Sequence, residues 1–253
     1  MKKIEIAEDI FLYEDFITKE EASVTLSLLK AYAEKNPLFW NPISFYESFS
    51  AGYPEKGDPL FAEFGLSDTW FDDLQQKFKE ATSTVANVPV EKMSKIGFHT
   101  QKWETGAYAH YHSDNSGNDG EASAFERSHF ATFLYLNDDF EGGLLNFKVN
   151  HGEKEISIKP KAGLLATFHG GHKNLHEVTV VTKGTRYTIG SFWDDREEED
   201  YPQEIREAWA EELKATREFQ KQQQKEWEDV RSKGYRLNKY GQKYLFKGEV
   251  ENE

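Results

Sequence analysis

The residues best suited to chemistry lie in one stretch of the chain. All eight histidines fall between His99 and His176. Histidine is the commonest metal-binding side chain, because its neutral ring nitrogen is a good donor near neutral pH. His112-Ser113-Asp114 is the most informative pair. On a strand, residues i and i+2 project from the same face, so one imidazole and one carboxylate reach a single ion. A third ligand must come from elsewhere, and His176 is the preferred candidate. His169 and His172, in FHGGHKNLH, are its rivals. His172 and His176 would share a face if that stretch were helical, but its glycines disfavour a helix. His110 has the strand parity of His112 and would face the same side.

Two imidazoles and one carboxylate fill one side of a metal and leave three positions open, the arrangement of non-haem iron(II) centres. Those positions suit a chelating 2-oxo acid and dioxygen. Arg186 stands ten residues after His176, in LHEVTVVTKGTR. Arginine stays charged when buried and presents a planar fork to a carboxylate. On a strand facing the metal it would hold the far end of such an acid.

The elements that must position these residues follow from pattern. Residues 4–16 mix β-branched and aromatic residues and read as strand and loop. Thr18-Lys19-Glu20-Glu21 has the capping-box form, and Val24, Leu28, Ala31 and Tyr32 follow at helical spacing until Asn36-Pro37. Residues 37–66 look irregular. Ser67 would cap a second helix over about 68–85. From residue 95 short β-type runs recur: 95–103, 107–112, 129–136, 144–148, 155–159, 164–168, 177–182 and 185–193. This spacing predicts a sandwich, jelly roll or barrel. The polar loop 113–128 reads as a lid or binding loop. Residues 203–232, rich in Glu, Lys, Gln and Arg with a thin apolar stripe, predict a long solvated helix, and 235–253 a loose tail. Three parts are expected: an N-terminal support (1–94), a catalytic core (95–200) and a C-terminal helix and tail (201–253).

Composition narrows the function. The chain has no cysteine, which excludes thiolate ligands, disulfides and cysteine nucleophiles. A net charge of −14 makes nucleic acid and anionic membranes poor partners. Met1-Lys2-Lys3-Ile4-Glu5 turns acidic at once and does not read as a signal peptide. No run of ~18 apolar residues occurs. A soluble, cytoplasmic protein is expected. Aromatics at 15% provide for a substantial core.

Several ordered motifs carry a resemblance. Gly106 precedes His112 by six residues, HFATFLYLND contains a Tyr-Leu-Asn strand, and Glu141-Gly142-Gly143 follows. KPKAGLLATF holds a Pro-x-x-Gly strand, and LHEVTVVTKGTR a His-to-Arg segment. In these the stretch from about Lys95 to Trp193 resembles the 2-oxoglutarate/iron(II) dioxygenase superfamily, most closely its prolyl 4-hydroxylase-like group. The resemblance covers about 100 of 253 residues.

It implies a mainly β fold with flanking helices, whose core is a double-stranded β-helix, or jelly roll. It implies that His112, Asp114 and His176 bind iron(II), that Arg186 pairs with 2-oxoglutarate and that Tyr135 hydrogen-bonds the same carboxylate. Dioxygen is the other cosubstrate, and ascorbate a conceivable accessory. The implied reaction hydroxylates a prolyl residue of a peptide or protein, releasing succinate and carbon dioxide. Tyr108, Arg127 and Trp193 are candidates to line the substrate groove. Trp103 stands where many members carry a cosubstrate-binding tyrosine, Leu144-Leu145 where an acid often follows the Gly-Gly turn, and Phe192 where the family has tryptophan. Two alternatives remain: an oxygenase of a free amino acid or other small molecule, and a non-enzymatic jelly-roll binding protein with a vestigial metal site.

Overall fold

The structure is a computed structural model. It describes the chain apart from residues 37–38, 44–47, 122–124, 202, 204–205, 208–234, 238–242 and 246–253. Contacts divide the chain into two units, Met1–Glu197 and Glu198–Glu253.

The first unit opens with a hairpin, β1 (Lys2–Ala7) and β2 (Ile10–Glu14). Helix α1 (Lys19–Lys35) follows. Its capping box forms as the sequence predicts: Thr18 Oγ1 accepts from the Glu21 N–H at 3.0 Å, and the Thr18 N–H donates to Glu21 Oε2 at 2.7 Å. The stretch expected to be irregular holds β3 (Asn41–Ile43), β4 (Ser48–Ala51) and a short helix, α2 (Pro59–Glu63). Helix α3 (Trp70–Ala86) begins later than expected, because Ser67 caps only the preceding turn, accepting from the Thr69 N–H at 3.2 Å.

Ten strands then build the core: β5 (Ser94–Glu104), β6 (Ala109–His112), β7 (Phe130–Tyr135), β8 (Glu141–Gly142), β9 (Leu145–Val149), β10 (Lys154–Ile158), β11 (Leu165–His169), β12 (Asn174–Val178), β13 (Val181–Lys183) and β14 (Thr185–Asp194). The expected strand 177–182 is really two. One begins at Asn174, which brings His176 onto the sheet.

The strands form an eight-stranded sheet, β1-β2-β11-β7-β14-β5-β4-β3, and a four-stranded sheet, β10-β9-β12-β6. The N-terminal strands therefore extend the larger sheet. Alternation decides what each face meets. Leu134, Leu165, Ile189 and Trp193 pack on one side with Leu28, Leu29, Phe71, Leu74 and Phe78 of α1 and α3. Ala131, Tyr135, Ala166 and Phe168 face the other way and join Leu145, Phe147 and Val149 of the smaller sheet. Each fully buried Phe or Leu contributes about 1.5–3 kcal/mol relative to exposure, so both layers hold the sheet rigid. This is the jelly-roll core that the family resemblance implies.

The expected helix over 203–232 lies almost wholly outside the described residues. In the second unit the segment expected as a loose tail contains two short antiparallel strands, Tyr235–Leu237 and Lys243–Leu245. Among the described residues no helix is long and apolar enough to cross a membrane.

Candidate metal and cosubstrate site

His112 ends β6, and His176 is paired directly across from it on β12. Their rings lie 4.4 Å apart. Asp114 follows β6, and its N–H donates to the Gly170 carbonyl at 2.7 Å. This turns its carboxylate between the two imidazoles: Oδ2 is 3.4 Å from His176 Nε2, and Oδ1 is 3.7 Å from His112 Nε2. One nitrogen or oxygen from each of the three residues falls within 4.8 Å of the others.

The second nitrogen of each ring is taken by a backbone carbonyl. His112 Nδ1 lies 2.7 Å from the His110 oxygen and His176 Nδ1 3.3 Å from that of Asn174. A carbonyl only accepts, so the proton sits on Nδ1 and the Nε2 lone pair points inward. Burial, then the neighbouring His176, hold His112 down to about 4, so its imidazole is neutral at physiological pH. Asp114 Oδ2 is buried and accepts no hydrogen bond. A buried carboxylate oxygen without a donor is costly unless a cation meets it. That orphaned oxygen, with two imidazole Nε2 atoms aimed at the same point, fits a divalent transition metal of the iron(II) kind.

The histidines set aside as rivals have other surroundings. From Ala109 to His112 is three residues, while the paired span from Val178 to His176 is two. This β-bulge breaks the parity expected of β6. Ala109 and His112 line the cavity together, and His110 is exposed. His172 lies 5.0 Å from the His151 ring, and His169 packs on His129 and Phe130.

The cavity is lined by Gln101, Trp103, Ala109, His112, Phe133, Leu145, His176, Val178 and Arg186. Arg186, on β14, is 2% exposed, and its Nε and Nη1 have no hydrogen-bond partner. Its guanidinium carbon lies 5.0 Å from the ring centre of Tyr135 and 5.3 Å from that of Trp103. Burial lowers the Arg186 pKa and raises that of Tyr135, against which the Arg186 charge works. At neutral pH the phenol thus stays a proton donor. Its oxygen is also buried, with the Arg186 guanidinium as its polar neighbour. A dianionic acid reaching from the metal to this end would satisfy both groups.

Tyr108, Arg127 and Trp193, expected along the substrate groove, do not line this cavity. Trp193 belongs to the helix-side core. Arg127 donates to the buried Asp194 at 2.8 Å. Tyr108 packs edge-on against His110, outside the cavity lining. Phe192 takes the inward face instead, against Phe133 and His99. Sequence reading missed Gln101 and Gly170. Gln101 has the strand parity of Trp103, a usable signal. Gly170 showed only as half of a Gly-Gly pair. A Cβ there would lie 2.6 Å from Asp114 Oδ2.

The family model described as the 2OG-Fe(II) oxygenase superfamily matches residues 98–194. Human prolyl 3-hydroxylase 2 is 38% identical over 86 residues, which cover 31% of this chain. The chain spans only 12% of the length of that relative. A Pseudomonas putida prolyl-4-hydroxylase structure superposes with TM-score 0.55 at 17% identity, covering 76% of this chain and 95% of that one. A Trichoplax adhaerens prolyl hydroxylase, solved with a hypoxia inducible factor peptide fragment, gives TM-score 0.53 at 16% identity over 80% and 87% of the two chains. The fold, the matched segment and the donor set agree: residues 98–194 are similar to the 2OG-Fe(II) oxygenase superfamily.

Proposed function

We propose that this protein hydroxylates prolyl residues of a peptide or protein, using iron(II), 2-oxoglutarate and dioxygen. His112, Asp114 and His176 would hold the iron, and Arg186, Tyr135 and Trp103 the cosubstrate. One observation carries the reading: Arg186, with Nε and Nη1 unpartnered, lines one cavity with His112 and His176, and the Asp114 oxygen 3.4 Å from His176 Nε2 accepts no hydrogen bond.

When bound, iron and 2-oxoglutarate supply the oxidative chemistry, with succinate and carbon dioxide as by-products. The chain supplies position and charge. The carbonyls of His110 and Asn174 keep both Nε2 atoms free for the metal. Arg186 anchors the distal carboxylate, and the Tyr135 phenol donates a second hydrogen bond to it. Trp103 walls this end, and its indole N–H donates to Gln101 Oε1 at 3.3 Å. Phe147 and Phe168 pack against the His176 ring and keep water from that side.

The relatives support the substrate class. The human relative is a prolyl 3-hydroxylase, the Pseudomonas protein a prolyl-4-hydroxylase and the Trichoplax protein a prolyl hydroxylase. The test is incubation with iron(II), 2-oxoglutarate and a proline-rich peptide array, with and without ascorbate. The expected result is succinate release and a hydroxyl-sized mass gain on proline, whose ring position NMR then assigns. Turnover of free amino acids with no gain on any peptide would sink the prolyl reading. No succinate at all, with metal and cosubstrate bound, would show a binding protein.

A further inference from the structure

Strand β5 sends His99, Gln101 and Trp103 to one face, each two residues from the next. Opposite them on β14 stand Gly190, Thr188 and Arg186. Two members of this row, Trp103 and Gln101, line the cavity with Arg186, His112 and His176. The Phe168 ring contacts His176 at 4.7 Å, and register places Phe168 beside Ala131 and Ala131 beside Phe192. Phe192 in turn stacks on His99, with ring centres 5.9 Å apart and planes 21° from parallel. Phe133 and Gln101 line the cavity with His112 and His176, Phe133 packs edge-on against Phe192 at 6.0 Å, and Gln101 lies 3.1 Å from His99, so His99 and Phe192 adjoin that cavity.

Hydrogen bonds set the state of His99. The Trp103 indole only donates, so the Gln101 atom it meets at 3.3 Å is the oxygen. The Thr188 hydroxyl donates to the same oxygen at 3.2 Å. The Gln101 amide nitrogen must then be the atom 3.1 Å from His99 Nε2, and Nε2 accepts. The proton of a neutral His99 is therefore on Nδ1, and among the described residues no hydrogen bond takes it up. Gly190 lets the Phe133 ring pack against β14 next to His99: a Cβ there would meet the Phe133 ring at 2.8 Å and His99 Nε2 at 3.4 Å.

We propose that His99 is a specificity-determining residue, which donates a hydrogen bond from Nδ1 to a backbone carbonyl of the peptide substrate while the substrate's ring lies against Phe192. This rests on the prolyl-hydroxylase reading and deepens it. Burial lowers His99 to about 4, so the donor is neutral at physiological pH. A neutral donor suits an amide carbonyl and gives no ionic attraction to the carboxylate of a free amino acid. Trp103, through Gln101, then couples the cosubstrate end to the substrate end of the cavity.

The test is peptide affinity without turnover. The full chain is loaded with manganese(II) and 2-oxoglutarate under argon, and binding of a fluorescein-labelled Ala-Pro-Gly repeat peptide is read by anisotropy. His99→Phe keeps a ring against Phe192 and removes the donor, and should weaken the peptide about tenfold, the size of one lost hydrogen bond. His99→Gln keeps a donor and should recover most of that loss. Free proline should compete poorly with the wild-type protein and equally poorly with His99→Phe. Equal peptide affinity of the wild-type and His99→Phe proteins, both folded by circular dichroism, overturns the proposal. So does a His99→Gln variant as weak as His99→Phe. Succinate release by the wild-type protein reads the oxygenase reading separately, so the two can fail independently.

Discussion

Two clusters in this protein gather histidine and aspartate within the same short distance and differ in what surrounds them. His112, Asp114 and His176 form one, and His129, Asp194 and Asp195 the other; in each, the donor atoms lie within 4.8 Å of one another. The second is closed by cations. Arg127 donates to Asp194 at 2.8 Å, the Arg196 guanidinium meets His129 Nε2, and His129 Nδ1 lies 2.6 Å from Asp195. The His129 hydrogen bond holds the Asp195 carboxyl below its usual range. The first cluster contains no such neutralisation: among the described residues no lysine or arginine pairs with Asp114, and one of its oxygens accepts nothing. Proximity of histidines and carboxylates therefore does not identify a metal site. A site is marked by charge left for an ion to balance. A network whose charges are already matched is a strap between chain segments.

The sharpest way to break this comparison is to remove one acid from each cluster. Asp114→Ala should lose iron(II) affinity by more than about a hundredfold, since a charged ligand leaves a three-ligand site, while thermal stability without metal stays level or rises. Calorimetric titration and melting curves check both; unchanged metal affinity would refute the triad. Arg186→Ala comes next. It should weaken 2-oxoglutarate by about a hundredfold, within the 2–5 kcal/mol of a truncated buried charge pair, and leave metal affinity nearly intact. Asp194→Ala should do the reverse of Asp114→Ala. It removes the carboxylate to which Arg127 donates and should cost about 3 kcal/mol in urea unfolding with no change in metal affinity.

Acid separates the clusters by another route. The folded protein holds His112 at about 4, against 6.5 in the unfolded chain. Between these values the unfolded chain binds the proton and the folded one does not, so stability rises with pH there. The metal-free protein should therefore be most stable above about pH 6.5 and lose stability as pH falls toward 4. Denaturant titrations across that window should show the slope fall by about one proton in His112→Phe. An unchanged slope would place His112 in a more open setting than the fold gives it.

What could be read from sequence, and what could not, follows from the range of the interaction. The capping box at Thr18 spans three residues and was legible, as were the strand runs from 95 onward. Asp114 and Arg186 were legible as types at informative spacings. His110 was misjudged because a bulge depends on how β6 pairs with β12, which no local pattern encodes. That Trp193 packs in the helix-side core while Phe192 faces the other way was not legible, because sheet faces are assigned by layers on both sides. The row from Trp103 to His99 required knowing that β5 pairs with β14, more than eighty residues away, as in the Thr188–Gln101 pair.

The smallest expected effect tests whether the backbone, rather than the ligands alone, makes the first cluster a site. Gly170 accepts from the Asp114 N–H at 2.7 Å and from the Ser113 hydroxyl at 2.9 Å, and its own N–H donates to the His129 carbonyl at 2.7 Å. It therefore ties the His-x-Asp turn to the strand that carries the second cluster. Its missing side chain also leaves room for the carboxylate, since a Cβ would stand 2.6 Å from Oδ2 and 2.8 Å from the Asp114 Cβ. The Asp114 Cβ is held by that backbone bond and cannot simply rotate away. Gly170→Ala should turn the carboxylate from the two Nε2 atoms and weaken metal binding about tenfold, roughly 1.4 kcal/mol, with a stability loss of about 1–3 kcal/mol from overpacking. Metal affinity equal to wild type, with the stability loss present, would mean that the strap serves the fold and that the carboxylate finds the metal without it.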